Sequence, residues 1–340
     1  MGRTWLQAGT VINHFEIRTR VGASGLGEVY QARDNQNNRS VALKLLPPPP
    51  DWNGEQVQRL LQHLNKVRPP AHPNICELYE AGLTESGLIY LASACFRGAS
   101  LDSLGMGRTE TEVINIAIQV VEALQAALSQ RIIHGDIKPQ NLMLSQTGEV
   151  KVLDFVLAAL RDRWQPMSGK KGQPSGLTLG RVRYFSPERV RGEKQTPQSD
   201  LFSLGAVLYE MLTGQPPFDG RSVSEVCDAI LKQEPLPLTE YNPEVSKEVS
   251  AMIYKTLAKD PAQRYRTPDE LLPHLKSLQQ LAANRQKQKQ KHKAGPSMME
   301  QARSVTFEEF CSMFLSFGKG AFEISKYGRM LKLITGMFKN

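Results

Sequence analysis

Long apolar runs are missing from this 340-residue chain: no stretch reaches the roughly 18 uninterrupted apolar residues that a membrane-spanning helix needs. Met1 to Thr10 also lacks the apolar centre of a signal peptide, so the expectation is a soluble, cytoplasmic protein. Cysteine is scarce. Cys76, Cys95, Cys227 and Cys311 lie far apart with no close pair and no accompanying histidine spacing, which argues against a zinc ribbon and a disulfide scaffold and fits a reducing compartment. Charge of one sign is missing from the main body. The formal net charge is +8, yet residues 283–340 hold 11 basic and 4 acidic side chains, leaving 31 against 30 in residues 1–282. The basic run NRQKQKQKHKAGP at 284–296 has no interleaved aromatics, so 283–304 reads as a solvated linker and no specific nucleic-acid partner is expected. With 40% hydrophobic residues, the remainder can bury a sizeable core.

The first ninety residues alternate β-type runs with turn chemistry: Val11 to Arg20, Glu28 to Asp34, Ser40 to Leu46, then runs near Cys76 to Ala81 and Leu88 to Ala94. One helix interrupts them. Prolines at 47–50 exclude helix there, and Val57, Leu60, Leu61 and Leu64 then recur at helical spacing. From Thr111 to Gln130 a stripe of Val113, Ala117, Val120, Val121, Leu124 and Leu128 predicts a helix capped by Thr109 or Thr111. Further helical patterns fall near 197–213, 222–232, 247–258 and 268–280. Strands in front and helices behind predict an α+β fold with a small β-rich lobe and a larger α-helical lobe.

Between the first strands, Val21-Gly22-Ala23-Ser24-Gly25-Leu26-Gly27-Glu28-Val29-Tyr30 forms a hairpin whose backbone N–H groups could lie over phosphates, although a plain turn has the same composition. Lys44, ending Val41-Ala42-Leu43-Lys44, is a surface lysine or, facing that hairpin, a phosphate ligand. The segment His134-Gly135-Asp136-Ile137-Lys138-Pro139-Gln140-Asn141, followed by Asp154-Phe155 after a Glu149 to Leu153 strand, is more specific. Its aspartate, lysine, asparagine and second aspartate supply a base, a phosphate contact and two hard oxygen ligands for magnesium.

With these motifs in this order, the chain resembles the eukaryotic-like protein kinase superfamily in its bacterial Ser/Thr form, over about Thr10 to Leu278. The resemblance implies a bilobed kinase-like fold at 10–280, with an N-lobe at about 10–94 and a C-lobe at about 98–280. It implies ATP and Mg²⁺ as cofactors and a protein substrate or binding partner. Asp136 would orient the acceptor hydroxyl or take its proton, Lys138 would touch the transferring phosphoryl group, and Asn141 and Asp154 would hold Mg²⁺. Around ATP would lie Val21, Gly22, Ser24, Gly25, Gly27, Val29, Ala42 and Lys44, the last on the α/β-phosphates. Counting back from Gly98-Ala99-Ser100-Leu101 places Ser93 at the gatekeeper position, with Ala94 and Phe96 on the adenine-binding hinge. Ser186-Pro187-Glu188 matches the end of the activation segment, with Glu188 paired to Arg264, and Asp200 belongs to a buried loop and helix.

The pattern is broken in places. Ser24 replaces a loop glycine, and Val156 stands where glycine usually follows Asp154-Phe155. The helix at 55–68 offers no acid facing Lys44, only Gln58, Gln62 or His63, because Glu55 lies too near its start. Gly135 replaces the arginine that in the family grips a phosphorylated activation segment, and Arg181 stands where threonine is usual. The alternative to an enzyme is therefore a pseudokinase, a nucleotide-binding or scaffolding interaction module. Residues 305–340 read as an amphipathic helical tail with Lys326, Arg329 and Lys332 on one face, suited to peripheral membrane contact or intramolecular packing.

Overall fold

A computed structural model describes residues 6–24, 27–49, 52–66, 68–155 and 178–293. Gly25, Val156, the end of the linker and the tail at 305–340 lie outside the described residues. Residues up to Gln279 form one compact unit and those from Gln280 a second, of which only the end of a helix is described.

The β-rich runs become a six-stranded antiparallel sheet of β1 (Val11–Ile12), β2 (Phe15–Ser24), β3 (Gly27–Asp34), β4 (Arg39–Leu46), β5 (Leu78–Leu83) and β6 (Ile89–Ala94), in the order β1-β2-β3-β4-β6-β5. Alternation along β4 and β6 sorts their side chains between two faces. Val41, Leu43 and Leu45 join Phe15, Ile17, Tyr30, Tyr90 and Ala92 in one core. Leu46, Ile89 and Leu91 take the opposite face, where α1 (Gly54–Lys66) lays down Val57, Leu60, Leu61 and Leu64. Lys44 shares this second face by parity with Leu46, and the register Val29↔Lys44↔Leu91 and Ala42↔Ser93 brings residues of three strands expected around the nucleotide onto it.

Beyond the sheet, β7 (Ala99–Ser100) leads into α2 (Leu101–Leu104) and α3 (Glu110–Ser129). A capping box, in which Thr109 accepts from Glu112 N–H and the Glu112 carboxylate accepts from Thr109 N–H, selects Thr109 over Thr111 as the cap. By length and composition α3 could cross a bilayer, but Val113, Ile116, Ala117, Val120, Val121 and Leu124 are buried in the domain. A three-stranded sheet, β7-β8-β9 with β8 (Leu142–Leu144) and β9 (Val150–Val152), follows it. After β9 the described elements are α4 (Leu179–Val182), α5 (Pro187–Val190), α6 (Pro197–Thr213), α7 (Val223–Lys232), α8 (Leu238–Tyr241), α9 (Lys247–Thr256) and α10 (Pro268–Lys293). Helix α6 is apolar nearly all round and buried nearly throughout, which makes it the spine of the helical lobe. Helix α10 continues through Lys293, because glutamine and lysine are good helix formers even without an apolar stripe.

Candidate active site

The loop between α3 and β8 is fixed before any functional group is placed. His134 is fully buried; its Nδ1 accepts the Asp136 N–H at 3.1 Å, which makes Nε2 the protonated nitrogen that donates to Leu153 O at 2.7 Å. Its ring meets Phe155 edge-on at 4.7 Å. The N–H groups of His134 and Gly135 donate to the two carboxylate oxygens of Asp200 at 2.8 and 2.7 Å. Burial pushes the Asp200 carboxyl up to about 7 against the pull of these amides and of Arg189. Gly135 sits at φ +69°, a left-handed conformation that suits glycine.

This scaffold presents Asp136, whose side chain is 2% exposed, to a ring of donors. Lys138 Nζ lies 3.0 Å from Oδ2, and Asn141 Nδ2 donates to Oδ2 at 3.1 Å and to the Asp136 carbonyl at 2.8 Å. On Oδ1 stand Arg181 Nε at 3.4 Å and Arg189 Nη1 at 3.3 Å. Neither arginine was among the expected site residues. The sequence signal for Arg189 is an arginine directly after Ser186-Pro187-Glu188 in a chain with glycine at position 135.

Across the cleft, Lys44 Nζ pairs with Asp154 Oδ2 at 2.5 Å, and Asp154 itself has φ +66°. Gln58, Gln62 and His63 of α1 are exposed, so among the described residues the carboxylate that meets Lys44 is Asp154's. Asn141 is tied to the same place, since its carbonyl accepts the Leu153 N–H at 2.9 Å. These two residues fit a hard cation. Asp154 brings a carboxylate, and the Asn141 amide, with its nitrogen committed to Asp136, keeps its side-chain oxygen as the remaining donor.

Other expected residues are placed less uniformly. Gly22 pairs with Val29 in the hairpin, and a Cβ there would meet nothing within 4 Å, whereas a Cβ on Gly27 would lie 1.9 Å from Leu45 O. Gly27 is thus required by the approach of β3 to β4, whatever lies above the loop. Ser24 pairs with Gly27, and Val21 sits at a register shift in β2 with its side chain 65% exposed. Ser93 Oγ donates to Ala42 O at 3.3 Å. Ala94 N–H is committed to Glu77 O at 2.9 Å, leaving its carbonyl on the hinge, where Cys76 Sγ approaches at 3.5 Å; Phe96 follows two residues later, half-buried.

Behind the loop, Arg264 and Glu188 form a bidentate pair at 2.8 and 3.0 Å. All five guanidinium N–H groups are used, because Ala258, Gln198 and Lys259 supply carbonyls at 2.7, 3.0 and 3.1 Å. Burial alone would raise the Glu188 carboxyl, but hydrogen bonds from Arg264 and Ser199 hold it below the usual glutamate range.

A strand-rich lobe over a helical lobe, with a lysine, a buried aspartate, an asparagine and a second aspartate meeting between them, is the arrangement of a protein kinase. The protein kinase domain model matches residues 15–275, and the chain belongs to that family. Curated relatives include the serine/threonine-protein kinase PrkC of Bacillus subtilis, 32% identical over 270 residues that make up 78% of this chain and 41% of PrkC. PknB of Mycobacterium tuberculosis is 32% identical over 266 residues, 76% of this chain and 42% of that protein. A probable serine/threonine-protein kinase of Clostridium perfringens is 33% identical over 269 residues, covering 78% of this chain and 38% of the relative. The chain thus spans about two fifths of the length of these relatives. Among solved structures, the PknI kinase domain of Mycobacterium tuberculosis superposes with a TM-score of 0.62 at 22% identity, covering 81% of this chain and 99% of that one, a likeness of fold.

Proposed function

We propose that the domain transfers the γ-phosphoryl group of ATP to serine or threonine hydroxyls of a protein substrate, with Mg²⁺ as the metal. The observation that carries this is one continuous line of contacts across both lobes: Lys44 to Asp154, Leu153 to Asn141, Asn141 to Asp136, and Asp136 to Lys138. Phosphoryl transfer needs positioning and charge neutralisation more than covalent chemistry from the protein, and these residues are of the types that supply both. Lys44 binds the α/β-phosphates, Lys138 meets the transferring group, and Asp136 orients the acceptor hydroxyl and takes its proton. Asn141 and Asp154 would hold the metal, which when bound neutralises charge between the β- and γ-phosphates. Ala42, Ser93 and the Ala94 and Phe96 backbone form the adenine side, beneath Val21, Gly22, Ser24, Gly25, Gly27 and Val29. The need for ATP places the domain in the cytoplasm. Because Gly135 carries no guanidinium, transfer requires no phosphate on the activation segment.

The test is labelled phosphate transfer from ATP and Mg²⁺ to the protein and to a generic acceptor, with Asp136→Asn as control. Transfer by the wild type and its loss in the variant are expected. Stabilisation by ATP and Mg²⁺ without any transfer would overturn the enzymatic reading in favour of a nucleotide-binding module.

A further inference from the structure

A guanidinium from another part of the chain reaches the Gly135–Asp136 backbone and carboxylate. Arg189, 7% exposed, follows Glu188 in α5 and turns its fork into the catalytic loop, where Nη1 donates to Gly135 O and lies 3.3 Å from Asp136 Oδ1. Its guanidinium carbon sits 3.8 Å from the centre of the Phe185 ring, so the fork is held by stacking on one side and by acceptors on the other. The backbone leading to it is also fixed, since Arg189 N–H donates to Ser186 Oγ at 3.3 Å and Glu188 is locked to Arg264.

We infer that Arg189 is a positioning residue for phosphoryl transfer: it clamps the Gly135–Asp136 backbone and carboxylate from within the fold. This rests on the kinase reading above and adds a residue to it. The physical reason is the rigidity of the connection. A buried guanidinium whose Nη1 is shared between the Gly135 carbonyl and the Asp136 carboxylate ties that carboxylate to the backbone beside it, and an ångström of misplacement costs on the order of a hundredfold in rate. Gly135 is complementary to it, because a larger side chain there would be strained at φ +69°.

The test uses the full chain with Arg189→Met, which keeps length and apolar bulk but loses charge and donors, and Arg189→Lys, which keeps the charge. Two readouts are taken: kcat and ATP KM for transfer, and amide hydrogen exchange at His134, Gly135 and Asp136 compared with helix α6. Arg189→Met should lower kcat at least tenfold with ATP KM within about twofold, and should speed exchange at those three amides at least tenfold with α6 unchanged. Arg189→Lys should fall between it and the wild type in both. A kcat within threefold of wild type, unchanged exchange at the three amides, or exchange that rises equally in α6 overturns the proposal, the last by showing a merely structural role. If the wild type transfers no phosphate, the kinase reading fails separately, and the exchange comparison alone decides whether Arg189 positions the loop.

Discussion

Replacing Arg264 by methionine removes all five donors from a site where Glu188 is 3% exposed, leaving among the described residues the Ser199 hydroxyl at 2.6 Å as the other side chain bonded to that carboxylate. Breaking a buried pair from one side typically costs about 3–5 kcal/mol, because the remaining charge is left buried without its counter-charge. At about 2–4 °C per kcal/mol for a domain of this size, Arg264→Met should lower Tm by about 6–20 °C. The same reasoning makes the pair non-additive. With Glu188→Met added, no unpaired charge remains, so the double variant should be more stable than the sum of the single losses predicts, with a coupling of about 2 kcal/mol or more. Urea unfolding of the four proteins measures this directly, and additivity within about 0.5 kcal/mol would refute the argument. The pH dependence has a definite sign. The folded-state pKa of Glu188 is depressed, so its stabilisation is present above the ordinary glutamate pKa and is lost as pH falls through the lower folded value. The stability gap between wild type and Arg264→Met should therefore hold at neutral pH and narrow below about pH 4.

Three other outcomes follow from the site and its supports. If Asn141 and Asp154 hold the metal, Asp154→Ala should abolish the Mg²⁺-dependent part of thermal stabilisation by ATP; a full Mg²⁺-dependent shift would remove the assignment. Ser93→Phe should raise the Kd of an ATP-competitive ligand carrying an added aromatic group at least tenfold, about 1.4 kcal/mol, while ATP binding changes little; equal affinities by calorimetry would show that no usable space lies behind the adenine. Thr109→Ala breaks the capping box of α3 and should cost about 1 kcal/mol in urea unfolding, with loss below a few tenths contradicting the cap.

The long elements were legible because they repeat. Period two along Ser40 to Leu46 and period 3.6 along α1 and α3 name their own buried faces, and apart from the half-buried Leu128 the structure buries the apolar residues of those stripes. Elements of two to four residues, such as β7, α4 and α5, carry no period and could not be read that way. The helix through Lys293 was not legible for a related reason: the basic run has no apolar stripe to reveal a period, although glutamine and lysine favour helix. In the site, the residues that carry a motif were legible singly. The ring around Asp136 was not, because Arg181 and Arg189 lie 45 and 53 residues further along and reach it only through the packing of α4 and α5 on the loop.

The same distinction explains how Lys44 can be aimed although α1 brings no acid to it. A lysine on a strand needs two constraints, one on its backbone and one on its ammonium. The register of β3, β4 and β6 supplies the first, since Lys44 is paired with Val29 on one side and Leu91 on the other. Asp154 supplies the second, and Asp154 is itself tied through Leu153 to Asn141 and His134. The lysine is therefore oriented from the helical lobe instead of from a helix of its own lobe, and α1 is left as an apolar buttress whose seat on Leu46, Leu78, Ala81, Ile89 and Leu91 owes nothing to that ion pair.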